Sequence, residues 1–379
     1  MEKQNMNGKE RIEAIMRGDK PDRVSVACQL SMGHIIKNSE VSPAEFYLRC
    51  NEVCVDTFIR LTKDYRFDGF CIEWPGVDME YLESQVDAIV DKPTGQLIVW
   101  KNKDETFCPI NDYPIEIPRI KPEKKPLTDV KANELLHHNG YKTRLKDLPE
   151  YFMKPYRDAL NKVGDIYSVQ SFFVSPLSLL IHEYGIGDTL IGLLDYPDIC
   201  KKLLDEITDC CITWVDTLVD TGLPVIAITA PFEGMGFMSL NMYKEFGVPF
   251  AKRVIEHVKK RGAFTFMHMC GYINDRLEEI AATGVDGIEC FDPPPIGNVE
   301  LEDAVKRIGD RVFIKGNMDP VNTVLKKNPS EIYDDAVKRI KIAYPTQRYI
   351  LSTACAVSPD TPPENLKVLI KAAEDYGWY

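Results

Sequence analysis

Short apolar runs alternate with longer amphipathic stretches along most of the chain. The runs are rich in Val, Ile, Phe and Tyr, as buried strands are, and the stretches between them repeat apolar residues at helical spacing. Eight runs qualify as strands: residues 24–28, 69–73, 166–170, 224–229, 264–268, 287–290, 312–315 and 349–353. Such alternation predicts an α/β fold with a parallel sheet covered by helices, and eight units predict a closed (β/α)8 TIM barrel. An open doubly wound sheet is disfavoured because no strand leads into a G-x-G-x-x-G turn.

Two of the later helices have recognisable starts. Asn328 is a typical N-cap residue, Pro329 suits the first helical position, and Glu331 would close a capping box. Thr361 and Glu364 repeat the pattern before the last amphipathic stretch. Both segments predict a helix that follows a strand, as the barrel requires.

The second and third predicted strands are separated by far more chain than the others. The intervening insert, about residues 75–160, contains Pro-rich stretches and two apolar runs within 89–100 that flank a Pro/Gly turn. That arrangement predicts a β-hairpin. Because a structureless loop of this length is improbable, we expect an elaborated loop over the active face. No linker divides the chain, so we expect one domain spanning residues 1–379.

Composition and charge exclude several classes of function. The chain has 379 residues and a formal net charge of −12, and it has no basic run of the kind that nucleic acid binding requires. No apolar stretch approaches the roughly 18 residues that span a bilayer, and the first 23 residues are polar, unlike a signal peptide. Eleven cysteines without framework spacing suit reduced thiols in the cytoplasm. We therefore expect a cytoplasmic protein that binds neither membranes nor nucleic acids.

Residues that bind soft metals lie where the last four predicted strands end. His268 and Cys270 are two positions apart, so both side chains leave the strand on one face. Cys355 follows the eighth strand, across the small mouth where a TIM barrel keeps its active site. One imidazole and two thiolates make a zinc set with an open fourth position, as in catalytic sites. The three residues also fit a buried core or a zinc-stabilised scaffold, although scaffolds usually have four ligands in short knuckles.

Three carboxylates at the same rim are candidates for catalytic roles. Glu289 is the candidate for a fourth zinc ligand or a proton carrier, and the alternation of a strand predicts that Cys290 points away from it. Glu233 could hydrogen-bond a substrate group or the ligand His268. Asp319 is another rim carboxylate, although Asp-Pro after a strand is as often a turn or helix cap.

A series of motifs resembles the uroporphyrinogen decarboxylase superfamily, and within it the zinc-dependent methyltransferases that work with corrinoids. The motifs are His268-Met269-Cys270-Gly271, Gly284-Val285-Asp286, Lys315-Gly316-Asn317-Met318-Asp319-Pro320, Cys355 and Thr361-Pro362-Pro363-Glu364-Asn365, with an opening helix at 11–23. The resemblance implies that zinc binds at His268, Cys270 and Cys355. It also implies a corrinoid (cobalamin) carried by a partner protein, and methyl transfer between its cobalt and a small substrate, in a direction that the motifs leave open.

The chain departs from the decarboxylases at the first strand. The resemblance implies that those enzymes bind their polycarboxylate substrate in a funnel lined by arginines. Residues 26–34 of this chain contain no arginine. Several carboxylates cannot be held in a low-dielectric pocket without cations. Decarboxylation of uroporphyrinogen is therefore the less favoured alternative.

Aromatic and apolar residues near strands three and four predict the substrate class. They are Phe172, Phe173, Tyr184, Met235 and Phe237. Such a lining suits a neutral methyl donor, and a methyl ether with an aromatic group is the expectation. The alternative is methylation of a coenzyme M-type thiol, whose sulfonate would need a rim cation, and Lys315 is the basic residue available there.

Overall fold

The computed structural model describes residues 5–120, 124–136 and 139–379, so residues 121–123 and 137–138 of the predicted insert lie outside the described residues. The strands are β1 (Ser25–Val26), β2 (Gly69–Ile72), β3 (Val86–Lys92), β4 (Gly95–Trp100), β5 (Glu105–Pro109), β6 (Ile115–Ile117), β7 (Ser168–Val174), β8 (Val225–Thr229), β9 (Phe264–Met269), β10 (Gly287–Cys290), β11 (Phe313–Met318) and β12 (Tyr349–Thr353).

Eight of these strands form one parallel sheet in the order β1-β12-β11-β10-β9-β8-β7-β2. The two ends of this series meet, since the Asp68 amide just before β2 donates to the Val26 carbonyl of β1 at 2.8 Å. The Asp68 carboxylate in turn accepts from the Val26 amide at 2.8 Å. The TIM barrel predicted from the alternation of strands and helices is confirmed.

The helices cover the outside of the barrel and fill the connections between strands. They are α1 (Gly8–Arg17), α2 (Met32–Lys37), α3 (Pro43–Leu48), α4 (Cys50–Tyr65), α5 (Met79–Gln85), α6 (Ala132–Leu135), α7 (Lys154–Val163), α8 (Pro176–Tyr184), α9 (Ile186–Asp195), α10 (Pro197–Asp220), α11 (Leu240–Met242), α12 (Val248–Lys260), α13 (Leu277–Ala282), α14 (Leu301–Ile308), α15 (Pro329–Ala343) and α16 (Pro363–Tyr376). Single π turns cover Tyr243–Gly247 and Pro320–Leu325. Short 3₁₀ segments cover Leu127–Asp129, Asn139–Tyr141, Leu145–Asp147, Glu150–Met153, Asn274–Arg276 and Tyr344–Thr346.

The two predicted helix starts have different outcomes. The Asn328 side chain accepts from the Glu331 amide, and the Glu331 carboxylate accepts from the Asn328 amide, so the first capping box is confirmed. The second is wrong, because α16 has Pro362 as its N-cap and no side-chain cap. The helix begins two residues after Thr361, and the buried Thr361 hydroxyl makes no hydrogen bond within the described residues.

Helix α1 closes the N-terminal end of the barrel. Its apolar residues Ile12, Ile15 and Met16 pack in one buried cluster with Phe266 and Phe313 from inside the barrel. Burial of this apolar face against the strand interior fixes the helix there. Because this end of the barrel is closed, the active site is expected at the opposite end, where the strands end.

The long insert between β2 and β7 contains its own antiparallel sheet of β3, β4, β5 and β6. Strands β3 and β4 pair across a turn that joins Lys92 to Gly95, so the predicted hairpin is confirmed. Among the described residues, no single helix has the length and apolar character needed to cross a membrane. One pair of helices, α8 and α9, has that combined length and apolar character, but the two helices are bent by 118° relative to each other.

Candidate metal centre in the barrel mouth

The register of three neighbouring strands brings three side chains together inside the barrel. Glu289 of β10 pairs with His268 of β9 on one side and with Lys315 of β11 on the other. Residues that are directly opposite in adjacent strands share one face, so all three side chains point into the mouth. All three residues are buried, at 5–6% exposure.

The carboxylate of Glu289 holds both of its neighbours. One oxygen, Oε1, lies 2.6 Å from Lys315 Nζ, and the other, Oε2, lies 2.9 Å from His268 Nδ1. Burial alone would raise the pKa of Glu289, but the charge of Lys315 and the contact with His268 outweigh it and lower the pKa to about 2. Glu289 is therefore an anion whose two oxygens are both in use.

Of the two roles that the sequence predicted for Glu289, fourth zinc ligand or proton carrier, the geometry favours neither and indicates a contact that orients His268. Its oxygens contact the Nδ1 side of the His268 ring, whereas Nε2 faces Cys355 Sγ at 4.0 Å. A carboxylate on one ring nitrogen orients the other nitrogen toward a metal. Burial would lower the pKa of His268, but its contacts with Cys355 and Glu289 raise it to about 10 in the metal-free chain.

Two thiols, those of Cys290 and Cys355, lie near this ring nitrogen. Among the described residues, one group of potential ligand atoms from His268, Cys290 and Cys355 lies within 4.8 Å of one another. The prediction that Cys290 points away is wrong, because Cys290 and Phe291 adopt φ values of +103° and +57°, which end the alternation of the strand. Cys290 Sγ also lies 3.5 Å from Asp292 Oδ2.

The predicted ligand Cys270 is not a member of this group, but its thiol contacts Cys355. Cys270 is partly exposed, whereas Cys290 is fully buried. Hydrogen bonds from the thiols of Cys270 and Cys290 hold the pKa of Cys355 well below its usual value. The contact with Cys355, together with burial, raises the pKa of Cys270. The mouth therefore holds a His268 nitrogen and a Cys355 thiolate, with two further thiols in reach.

Glu233 does not reach this cluster. Its carboxylate lies at the start of α8, where the hydroxyl of Ser175 donates to it and the hydroxyl of Ser178 does so at 3.0 Å. Both ring nitrogens of His268 face other partners, so Glu233 does not orient this histidine. Burial raises the pKa of Glu233, which caps a helix and lies outside the barrel mouth.

Asp319 is likewise a cap in the described structure. Its Oδ1 accepts from the amides of Val321 and Asn322 at 2.9 and 2.7 Å, at the start of the π turn after β11. Its Oδ2 accepts from the Asn322 side chain. The sequence left open whether Asp319 is a catalytic carboxylate or a turn or helix cap, and the geometry favours the cap.

The predicted aromatic residues do not form one pocket. Phe172 faces the barrel interior, whereas its neighbour Phe173 packs in the outer core, as strand alternation requires. Tyr184 donates from its hydroxyl to the Lys125 carbonyl at 2.9 Å, beside the insert. Met235 and Phe237 lie in the loop after β8 and are 45% and 41% exposed.

Sequence reasoning missed a second carboxylate in the mouth. Glu73 follows β2 and lines the same cavity as Glu289 and Lys315. The hydroxyl of Tyr113, from the insert, donates to Glu73 Oε2 at 2.6 Å. Burial raises the pKa of Glu73 to about 7, against the effect of this hydrogen bond. Glu73 ends the second predicted strand, so the strand-end rule could have found it, whereas nothing in the sequence pairs it with Tyr113.

Comparison with known proteins identifies the family of this chain and several relatives. Residues 108–376 match the sequence profile of the family described as uroporphyrinogen decarboxylase (URO-D). The chain is 25% identical over 216 residues to the methylcobamide:CoM methyltransferase MtbA of Methanosarcina acetivorans, covering 57% of this chain and 60% of the relative. It is 26% identical over 215 residues to MtaA of Methanosarcina barkeri, with 57% and 60% coverage. The alignments thus span about 60% of the length of these curated relatives.

One further sequence relative and one solved structure are similar to this chain. The uroporphyrinogen decarboxylase of Ruthia magnifica subsp. Calyptogena magnifica is 25% identical over 189 residues, covering 49% of this chain and 52% of the relative. A solved structure described as a methyltransferase from Methanosarcina mazei superposes with a TM-score of 0.72 at 18% identity, covering 98% of this chain and 99% of that one. This last similarity establishes a shared fold over essentially the whole chain.

Proposed function

Because the chain belongs to the uroporphyrinogen decarboxylase (URO-D) family, we propose that it uses the barrel mouth of that family for zinc-dependent methyl transfer. The methyl group would move between a small neutral methyl ether and the cobalt of a corrinoid carried by a partner protein. The observation that carries the proposal is the buried His268, which is oriented by Glu289 toward the thiolate of Cys355. The unpaired state of all eleven cysteines suits a cytoplasmic location.

The residues present fit a zinc ion. Imidazole nitrogen and thiolate sulfur are the donors that zinc prefers over hard cations such as Mg²⁺. Glu289 fixes the His268 ring in the orientation that leaves Nε2 available, and Lys315 balances the charge of Glu289. The mouth of the barrel is also where TIM-barrel enzymes carry out their chemistry.

We propose His268, Cys270 and Cys355 as the ligands, with Cys290 held back. Four protein ligands would close the site, whereas three leave a position for substrate. Burial raises the pKa of Cys290, and its thiol donates to the Asp292 carboxylate at 3.5 Å, so this cysteine is held in the protonated form that binds zinc poorly. Cys270 is partly exposed, which supports its choice over the fully buried Cys290 as a ligand beside an open position.

The zinc ion and the other residues of the mouth would act on the ether oxygen, from which the methyl group leaves. Bound zinc would act as a Lewis acid and stabilise the negative charge on the oxygen that loses its methyl group. Glu73 would exchange a proton with that oxygen, since burial places its pKa near 7, where a carboxyl group can both give and take a proton. Tyr113 holds Glu73 in place through its 2.6 Å hydrogen bond.

The names of the relatives suggest two alternatives, methylation of a thiol and decarboxylation of uroporphyrinogen. Methylation of a coenzyme M-type thiol is favoured by the names of the curated relatives MtbA and MtaA. Against it, Lys315 is the single cation lining the described cavity, and Glu289 already pairs with it. The same poverty of cations argues against uroporphyrinogen decarboxylation, whose substrate is a polycarboxylate.

The test is a methyl-transfer screen with the zinc-loaded full chain. Reduced cobalt(I) cobalamin is incubated with methoxyarenes, simple methyl ethers, methanol and methylamines, and conversion to methylcobalt(III) is followed by absorbance. We expect turnover of a methoxyarene and a loss of about 10²–10³ in rate when zinc is removed. Methylation of coenzyme M from methylcobalamin without any ether activity would favour the thiol alternative, and decarboxylation of uroporphyrinogen would favour the other.

A further inference from the structure

A second cavity lies beside the barrel mouth, between helices α2–α4 and the insert. Its walls include Met32, Phe46, Trp74, Cys108, Tyr113 and Pro114. Met32, Phe46 and Cys108 are buried, so these walls are fixed by the core. The cavity volume is about 280 Å³. An apolar cavity of about 150 Å³ already binds benzene, so this one has room for a single substituted ring.

The lining of this cavity is apolar on every side. Its wall residues carry aliphatic, aromatic, proline or cysteine side chains, and none of them is a Lys, Arg, Asp or Glu. A sulfonate or carboxylate placed there would lose its hydration without gaining a cation. The cavity therefore selects for an uncharged, apolar group.

Tyr113 connects this cavity to the proposed metal centre. Its ring forms part of the cavity wall and packs edge-on against Trp74, with ring centroids 5.5 Å apart. Its hydroxyl donates to Glu73 inside the barrel mouth at 2.6 Å. One side chain thus faces the apolar cavity with its ring and the polar mouth with its hydroxyl.

We infer that this cavity binds the apolar body of the methyl donor, an uncharged single-ring methyl ether, while its methoxy oxygen lies toward Glu73 and the thiol cluster. The inference rests on the proposed function for the identity of the ligand. It also moves the substrate pocket from the loops after β7 and β8, where the sequence predicted it, to the wall formed by α2–α4 and the insert. The insert would then determine substrate specificity.

The first test measures binding and needs neither zinc nor corrinoid. Anisole and 4-methoxybenzenesulfonate are titrated into the full chain by calorimetry, and emission from Trp74 is followed by fluorescence. We expect anisole to bind at least about tenfold more tightly than the sulfonate, because the apolar walls reject charge. We also expect Trp74→Phe to abolish the anisole-induced change in emission, whereas Trp100→Phe, in a neighbouring groove, preserves it.

A matched pair of filling variants locates the ligand. Val77→Phe adds volume at a half-buried wall position of the cavity, whereas Leu82→Phe makes the equivalent change in the groove beside Trp100. We expect Val77→Phe to weaken anisole binding about tenfold or more and Leu82→Phe to leave it unchanged, with equal melting temperatures confirming that both variants fold. Unchanged binding in a folded Val77→Phe protein, or equal binding of anisole and its sulfonate, would overturn the inference.

The outcome is separable from that of the proposed function. If anisole binds at this cavity but no zinc-loaded chain demethylates any ether, the pocket stands and the methyl-transfer proposal fails. If an ether is demethylated while Val77→Phe leaves both its binding and its KM unchanged, the reaction stands and the pocket assignment is wrong.

Discussion

The barrel mouth has two walls, each with one glutamate, and the pKa values of the buried Glu289 and the half-buried Glu73 are shifted in opposite directions. The first, which we call the cluster wall, consists of His268, Glu289 and Lys315 from β9, β10 and β11, with Cys355 from the segment after β12. The second, the insert wall, consists of Gln29, Glu73 and Tyr113. The pKa of Glu289 is lowered to about 2, whereas that of Glu73 is raised to about 7.

The difference comes from the partners and not from burial, which alone would raise both pKa values. Lys315 gives Glu289 a cation at 2.6 Å, while Glu73 receives a neutral hydroxyl from Tyr113. A permanently ionised carboxylate is suited to orienting a metal ligand, and one that titrates near neutrality is suited to moving a proton. In the proposed function, the cluster wall serves metal binding and the insert wall serves proton exchange.

The largest expected effect comes from removing the cation of the cluster wall. Lys315→Met leaves the Glu289 charge buried beside His268 alone, and breaking a buried ion pair typically costs about 3–5 kcal/mol. We expect the free energy of unfolding, measured by urea denaturation at pH 7, to fall by that amount. The exposed Lys92→Met, in the insert hairpin, should change it by less than about 0.5 kcal/mol. Equal effects of the two variants would mean that the pair does not hold the cluster wall together.

The second effect tests the insert wall through pH. Because the pKa of Glu73 rises from 4.5 in the unfolded chain to about 7 in the folded one, the folded state binds the proton more tightly. This contribution to stability is present below pH 4.5 and is lost as the pH rises to 7, by up to about 3 kcal/mol. Glu73→Gln should remove that loss in the metal-free protein, whereas the exposed Glu83→Gln should follow the wild-type curve. A wild-type slope retained in Glu73→Gln would assign the proton to another group.

A smaller effect is expected on metal affinity. Glu289→Gln replaces the anion that orients His268, and loss of such a partner typically weakens metal binding by about 10–100-fold, or about 1.4–2.7 kcal/mol. Zinc affinity is measured by competition with a chromophoric chelator. Asp319→Asn is the control, because its carboxylate caps a π turn and does not contact His268. Equal loss in both variants would place Asp319 in the zinc site and remove the special role of Glu289.

The sequence predicted the regular part of the molecule well, because that part depends on local patterns. Strand and helix alternation gave the eight barrel strands, and the Asn328 capping box and the hairpin of β3 and β4 were set by short-range signals. His268 and Cys355 could be placed near one another because the ends of parallel strands share one rim. These predictions required no knowledge of side-chain contacts.

Predictions failed, or a contact was missed, where the backbone departs from a pattern or where distant segments meet. Strand alternation predicts that the Cys290 thiol points away from the metal site. Positive φ values at Cys290 and Phe291 turn that thiol toward the site instead. The pairing of Glu73 with Tyr113 joins β2 to the insert across 40 positions of sequence. Glu233 looked like a catalytic carboxylate because it follows β8, yet its partners are the serines that begin α8.

The central claim, that zinc binds at His268, Cys270 and Cys355 with Cys290 held back by Asp292, is tested most directly by zinc content. Cys270→Ala and Cys290→Ala are purified in parallel from zinc-supplemented growth, and zinc per chain is measured by elemental analysis beside the wild-type protein. The account predicts about one zinc per chain in the wild type and in Cys290→Ala, and loss of most zinc in Cys270→Ala, which lacks one of three protein ligands. Full zinc in Cys270→Ala together with its loss in Cys290→Ala would contradict the account and assign the site to His268, Cys290 and Cys355.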